Sequence, residues 1–361
     1  MSLSREPYLS VVAAYGGPAV LHDAERFVAL FTAMLATQAR RFDLPLEVIL
    51  VDWRPGQGHQ SLASLPICWP AADATFTLSI ISAEDAALAG TSHSVDRGFQ
   101  ERIAQNIGIR RARGRFVLAA TIETILSDGL AASLGRRDLD PTTIPIPLRL
   151  SVDARSEIAA LLRPGPAHYE TNLDTCIRAI LSASCYPHFI DLVAAEYAGG
   201  KTLGEVLSYF RQRHPELRAP DPTYGAVSYL LMAREHWEAF RGYPEWPVVD
   251  QLLDRLVLAL ARIAGLTLQL RPLEECYFHL GLLRPRLVDQ PFPVRASTDG
   301  GLMLDRPSGP LGNFHEGQMT ELIDDLVRRM HQLDAPVHYN AADWGLGGRC
   351  LPTMRPATRG D

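Results

Sequence analysis

Four short apolar runs set the rhythm of the first third of the chain. Tyr8 to Tyr15 (YLSVVAAY) breaks at Gly16-Gly17-Pro18, and Leu46 to Val51 (LEVILV) ends at Asp52-Trp53-Arg54-Pro55. Phe76 to Ser82 is the third run, and Arg115 to Ala120 the fourth, closed by the tetrad Thr121-Ile122-Glu123-Thr124. Runs of this length bounded by turn residues predict buried strands. Between the first two, Phe27, Leu30, Phe31, Met34 and Leu35 recur at helical spacing and predict a helix ending near Arg40-Arg41. Phe99, Ile103 and Ile107 do the same ahead of the fourth run; Arg110 to Arg113 give that helix a basic last turn. Gly114 is expected to stop it in a left-handed conformation. Strand–helix–strand alternation predicts an α/β fold with a largely parallel sheet, and a polar break past a strand's carboxyl end is where such sheets place ligands. No GxGxxG follows the first strand, which argues against a dinucleotide fold.

Downstream the pattern is less regular. Pro141, Pro145 and Pro147 enforce extended structure, while Cys176, Ile177, Ile180 and Leu181 predict helix within 169–214, so that 129–217 includes a helical insertion. Gly242 and Pro244 predict a turn. Leu252, Leu253, Leu256 and Leu260 form a helical stripe with Asp250 just ahead of it, at or near a helix start, where negative charge is favoured. After Pro291, Pro293 and Gly300-Gly301, an amphipathic helix is carried by Met319, Leu322, Ile323, Leu326, Val327 and Met330. The division this suggests is a main domain over 1–285 and a C-terminal extension over 286–361.

Composition changes this picture little. At 361 residues with 47% hydrophobic and 21% charged content, the chain reads as globular, and a net charge of −6 gives no field favouring nucleic acid or anionic membrane. The three arginines at 110, 111 and 113 read as a solvated or salt-bridged helix end. Five scattered cysteines, Cys68, Cys176, Cys185, Cys276 and Cys350, lack metal-site spacing and read as reduced structural thiols, which points to a cytoplasmic setting. No run approaches the length of a membrane span.

Two blocks carry a family resemblance. Asn106, Gly108, Ile109, Arg110, Arg111, Ala112, Arg113 and Gly114, running into a strand and a polar tetrad, resemble the helix–strand–metal-motif segment of GT-A-type (family 2-like) glycosyltransferases. Arg234, Trp237, Arg241, Gly242, Tyr243, Pro244, Glu245, Asp250 and His279 stand in the order of that family's acceptor-side segment. Arg149 and Asp153 are the nearest equivalents of an Arg and Asp pair beyond the metal motif, and NAADWGLGG (340–348) resembles a short tail motif. The resemblance implies a GT-A (nucleotide-diphospho-sugar transferase) fold, with a mostly parallel central sheet flanked by helices. It implies a hexosyltransferase-like enzyme taking a nucleotide-sugar donor and a carbohydrate or glycolipid acceptor, with no nucleic-acid partner, in surface polysaccharide assembly. On the donor side it implicates Ala14, Tyr15, Asp52, Asn106, Arg110 and Thr121, and on the acceptor side Arg241, Tyr243 and Glu245. Asp250 would be the carboxylate base of an inverting reaction. Glu123 and His279 would hold a divalent cation, manganese or magnesium.

Each residue also has a plainer role. Asp52 either bonds a ribose hydroxyl or a uracil imide, or forms the turn before Pro55; Tyr15 either stacks on a base or caps the core. Asp250 is a base or an N-cap, and His279 a ligand or a hydrogen-bonded core residue. The family usually places an Asp-containing tetrad, often Asn-x-Asp, where this chain has Thr121 and Glu123, and a second His where Gly281 and Leu282 stand. These departures favour a rival class, a GT-A-shaped protein that binds a nucleotide, glycan or protein partner without catalysing transfer. A nucleotidyltransferase ranks third, for want of a glycine-rich phosphate-cradling motif.

Overall fold

The computed structural model describes residues 6–16, 24–53, 60–84, 100–152, 185–187, 228–245, 251–272, 274–280, 294–296, 302–304 and 340–356. Asp153, Asp250, the helix expected over 319–330 and most of 169–214 lie outside the described residues.

The four apolar runs are the four parallel strands of the central sheet: β1 (Leu9–Tyr15), β2 (Leu46–Trp53), β3 (Phe76–Ala83) and β4 (Phe116–Ala120). They lie in the order β3-β2-β1-β4, so all four carboxyl ends open on one edge. The helix expected between the first two strands is α1 (Ala24–Arg41), and the one ahead of the fourth is α2 (Glu101–Arg111). Side chains alternate strictly between two cores. Val11, Ala13, Val48 and Leu50 face α1, whose Phe27, Leu30, Phe31, Met34 and Leu35 are all buried against them. Val12, Ile49 and Val51 face Ile103 and Ile107 of α2. Each fully buried side chain of this kind contributes about 1.5–3 kcal/mol, and burial on both faces is why the strands read as unbroken apolar runs.

The small elements follow from the ends of this sheet. After β4 come β5 (Thr124–Leu126), α3 (Asp128–Gly135), β6 (Thr143–Ile146), β7 (Arg149–Val152) and, further on, β8 (Cys185–Pro187). Up to residue 152, the described part of the span 129–217 holds one short helix and two strands. β9 (Tyr229–Ala233) extends the central sheet antiparallel to β4 and runs directly into α4 (Arg234–Phe240) and then α5 (Gln251–Ile263). β10 (Thr267–Leu270) pairs with β6; β11 (Tyr277–His279) lies between β5 and β7; β8 pairs with β7. β12 (Val294–Ala296) and β13 (Leu302–Leu304) form an antiparallel pair, and β14 (Thr353–Met354) closes the free edge of β3.

Gly114 departs from expectation. The helix ends at Arg111 with Ala112 in extended conformation, and Gly114 is not among the positive-φ residues. What requires glycine is proximity: a Cβ would stand 2.5 Å from the backbone nitrogen of Ser10. The same turn is stitched to the sheet by Ser10 Oγ, which accepts from Gly114 N (2.8 Å) and donates to Glu47 Oε2 (2.7 Å). Glu47 in turn accepts from Arg113 Nε at 2.6 Å. Gly114→Ala should therefore destabilise the protein by about 1–3 kcal/mol, as overpacking against backbone does. Urea unfolding with an unchanged m-value would read this; a midpoint equal to wild type would contradict it.

Candidate functional site

The parallel register makes Tyr15 and Asp52 direct cross-strand neighbours at the carboxyl edge. Both are buried. Asp52 Oδ2 accepts from Leu62 N (2.7 Å) and Ser61 Oγ (3.2 Å), tying the segment beyond β2 to the strand end. Burial, with the nearby charges of Glu25 and Asp52, pushes the Tyr15 hydroxyl up to about 12, so it stays protonated at neutral pH. Ala14 points to the opposite face, into the core beneath α2.

The tetrad after β4 is a tight turn. Thr124 N donates to Thr121 O (3.0 Å), the two threonine hydroxyls lie 3.2 Å apart, and Thr124 Oγ1 donates to Ser228 O (3.0 Å). This turn swings the chain into β5, whose antiparallel pairing with β11 sets Thr124 opposite His279. Leu280 N donates to Glu123 O (2.9 Å), closing the same corner. As a result Glu123 Oε2 lies 3.5 Å from His279 Nε2, with side chains 15% and 13% exposed. Two residues 156 apart in sequence, both expected as cation ligands, are thereby brought side by side.

Does the pair fit a cation? Two ligand atoms each about 2.0–2.2 Å from one small divalent ion, at 90–110°, stand roughly 3.0–3.5 Å apart. The observed separation is at the upper end of that range, and carboxylate oxygen plus imidazole nitrogen is a donor set manganese accepts. Among the described residues no group of three or more His, Cys, Asp or Glu side chains converges on one point. A cation here would draw its remaining ligands from substrate phosphates and water, as magnesium sites commonly do.

The other expected donor and acceptor residues gather elsewhere, around the turn after α4. Arg241 caps that helix in a left-handed conformation (φ 59°), and Gly242 follows with φ 73°. Asn106 grips this turn from α2: its Nδ2 donates to Tyr243 O (2.8 Å) and Glu245 Oε1 (3.1 Å), and its Oδ1 accepts from Tyr243 N (2.8 Å). From the other side Asn340 Nδ2 donates to Arg241 O (2.7 Å), and Asn340 Oδ1 accepts from Glu245 N (2.8 Å). Tyr243 is fully buried between Trp237 and the Arg102 guanidinium.

The arginine run at the end of α2 has a role that sequence reasoning missed. Arg110 donates to Ala342 O (2.8 Å) and Trp344 O (2.6 Å) and lies over the Trp344 ring; Arg111 donates to Gly345 O (2.7 Å) and Leu346 O (3.0 Å). Among the described residues, Arg113 alone of the three is salt-bridged in the way expected, to Glu47. Each segment leaves only a weak local trace, a basic helix end and a Trp between small residues at 341–348, and neither points to the other as its partner.

No protein-family profile and no curated protein matches the chain by sequence. Among solved structures it is similar to S. aureus TarS 1-349, with 12% identity, TM-score 0.40, and coverage of 75% of this chain and 60% of that one. It is also similar to glucosyl-3-phosphoglycerate synthase from Mycobacterium tuberculosis, solved in complex with Mg2+ and uridine-diphosphate. That match has 11% identity, TM-score 0.34, and coverage of 77% of this chain and 73% of that one. The chain thus spans less than two thirds of the TarS fragment. Among the described residues no helix is long and apolar enough to cross a membrane. In its own topology, parallel strands ordered β3-β2-β1-β4 with antiparallel β9 beside β4, the chain has the GT-A-type fold that its sequence resembles.

Proposed function

We propose that this protein is a glycosyltransferase that moves a sugar from a nucleotide-sugar donor to a carbohydrate or glycolipid acceptor, with inversion, in a cytoplasmic setting. The observation that carries the reading is the Glu123–His279 pair, 3.5 Å apart, on the turn past the carboxyl end of β4. An acid and an imidazole held together at that edge suit the diphosphate end of a donor. Bound there, a divalent cation would supply charge neutralisation to the leaving diphosphate. The protein's own residues supply the rest. Asp52, at the carboxyl end of β2, stands at the edge against which a nucleoside would lie, with Tyr15 beside it on β1 packed into the core on the α1 side. The turn from Arg241 to Glu245, gripped by Asn106 and Asn340, stands five residues ahead of Asp250 in sequence. Asp250 takes the proton of the acceptor hydroxyl as its oxygen attacks the anomeric carbon and the bond to the diphosphate breaks.

A second reading has its own observation. Thr121 and Glu123 stand where the family's tetrad is often Asn-x-Asp, and the Thr121 hydroxyl lies against that of Thr124. A protein with this corner could bind a nucleotide or glycan without turnover. Calorimetric titration of nucleoside diphosphates and nucleotide-sugars, with manganese and with chelator, followed by assay for sugar release, separates the two. Binding with release supports transfer; binding without release supports the second reading.

A further inference from the structure

A chain of buried polar contacts runs from the end of β4, just ahead of the turn that bears Glu123, to the first turn of α5. It begins at the last carbonyl of β4, Ala120 O, which accepts from Gln105 Nε2 at 2.8 Å. Gln105 Oε1 accepts from Arg102 Nη1 at 2.7 Å, and Arg102 Nη2 donates to Asp254 Oδ2 at 2.7 Å. Gln105 and Asp254 are 0% exposed and Arg102 2%. One end of the chain adjoins the turn that bears Glu123. The other is in the first turn of α5, the helix that Asp250 immediately precedes in sequence. Midway, the Arg102 guanidinium lies 5.0 Å from the Tyr243 ring centroid, within the turn that leads to Asp250.

Burying an ion pair this completely contributes little to stability, since desolvation offsets the attraction; packed apolar residues would serve as well or better. Geometry is a different matter. Arginine's planar fork fixes two directions at once, one toward Gln105 and one toward Asp254, which a greasy contact would leave free. Resting on the functional reading above, we infer that Arg102, with Gln105 and Asp254, is a positioning device that couples the turn after β4 to the helix following Asp250. It acts through other residues and touches no substrate.

Two variants test this in the full chain. Arg102→Met/Asp254→Leu removes both charges together, so no lone charge is left buried. Gln105→Leu cuts the link to Ala120 while keeping the ion pair. The double variant should melt close to wild type. Gln105→Leu should fold but melt lower, because Arg102 Nη1 and Ala120 O lose their partner. Both should keep the KM for the nucleotide-sugar donor. Both should lower kcat by up to about 10²-fold, the scale of a misplacement of about 1 Å. Amide exchange across 251–258 should quicken while that of β1 and β2 stays unchanged. Wild-type kcat and wild-type exchange in both variants would overturn the coupling. If the wild-type protein itself turns over no nucleotide-sugar, the functional reading fails, and exchange alone decides. Faster exchange confined to α5 then upholds the coupling, and unchanged exchange overturns it.

Discussion

Asp250→Asn is expected to reduce sugar transfer by about 10²–10⁴-fold, the usual contribution of a positioned general base. The substitution keeps size and N-capping ability but removes basicity, since an amide cannot accept the hydroxyl proton. Stability and nucleoside diphosphate affinity should stay close to wild type, because the proposed donor edge lies on β1 and β2, at Tyr15 and Asp52. The drop should fall on kcat and kcat/KM alike, the signature of an interaction made in the transition state. Steady-state kinetics with saturating donor and a varied acceptor reads it. Full transfer by the Asn variant would remove Asp250 from the mechanism and return it to the role of helix cap.

The second large effect is structural. Ending the chain at residue 339 should abolish cooperative folding. That truncation deletes Asn340, which ties down the turn at Arg241 to Glu245, and the carbonyls on which Arg110 and Arg111 rest. It also deletes Trp344, Leu346 and Leu351, all buried in the core beneath α2, and the strand that covers the edge of β3. Three such side chains represent about 1.5–3 kcal/mol each in burial, against a total stability of about 5–15 kcal/mol for a typical domain. The exposed edge and stranded arginines add to the loss. Near-ultraviolet circular dichroism and a melting curve report the outcome. A truncated protein with a sharp transition near that of wild type would show the strap to be dispensable. Trp344→Ala alone should cost about 3–5 kcal/mol.

The strands of the central sheet were legible because burial on both faces leaves a continuous apolar run, and the pattern marks such runs directly. Where those strands end followed from the runs, but Ala14, Tyr15 and Asp52 were singled out there by the family resemblance. Gly114 was read as a conformational stop because a sequence shows that a glycine is present, not which backbone approaches it; here Ser10 does. The strap over α2 was not legible as a contact, since Arg110 meets Ala342 across 232 residues and nothing local announces the pairing. Glu123 and His279 came through family resemblance; β5 and β11 are three residues each, too short for periodicity to reveal. The Arg102–Asp254 pair went unseen for the same reason as the strap. Both residues sit in helices where charged side chains ordinarily face water, and their burial depends on a partner 152 positions away.

The proposed chemistry centres on one corner, where the turn after β4 meets the end of β11. The measurement that tests it most directly is calorimetric titration of a nucleotide-sugar into wild-type protein and into Glu123→Ala, each with manganese and with chelator. The account predicts that manganese tightens binding to wild type by tenfold or more, about 1.4 kcal/mol, and that Glu123→Ala abolishes the enhancement while retaining the weaker metal-free binding. Equal affinity in manganese and chelator for the wild-type protein, or no binding at all, would contradict it.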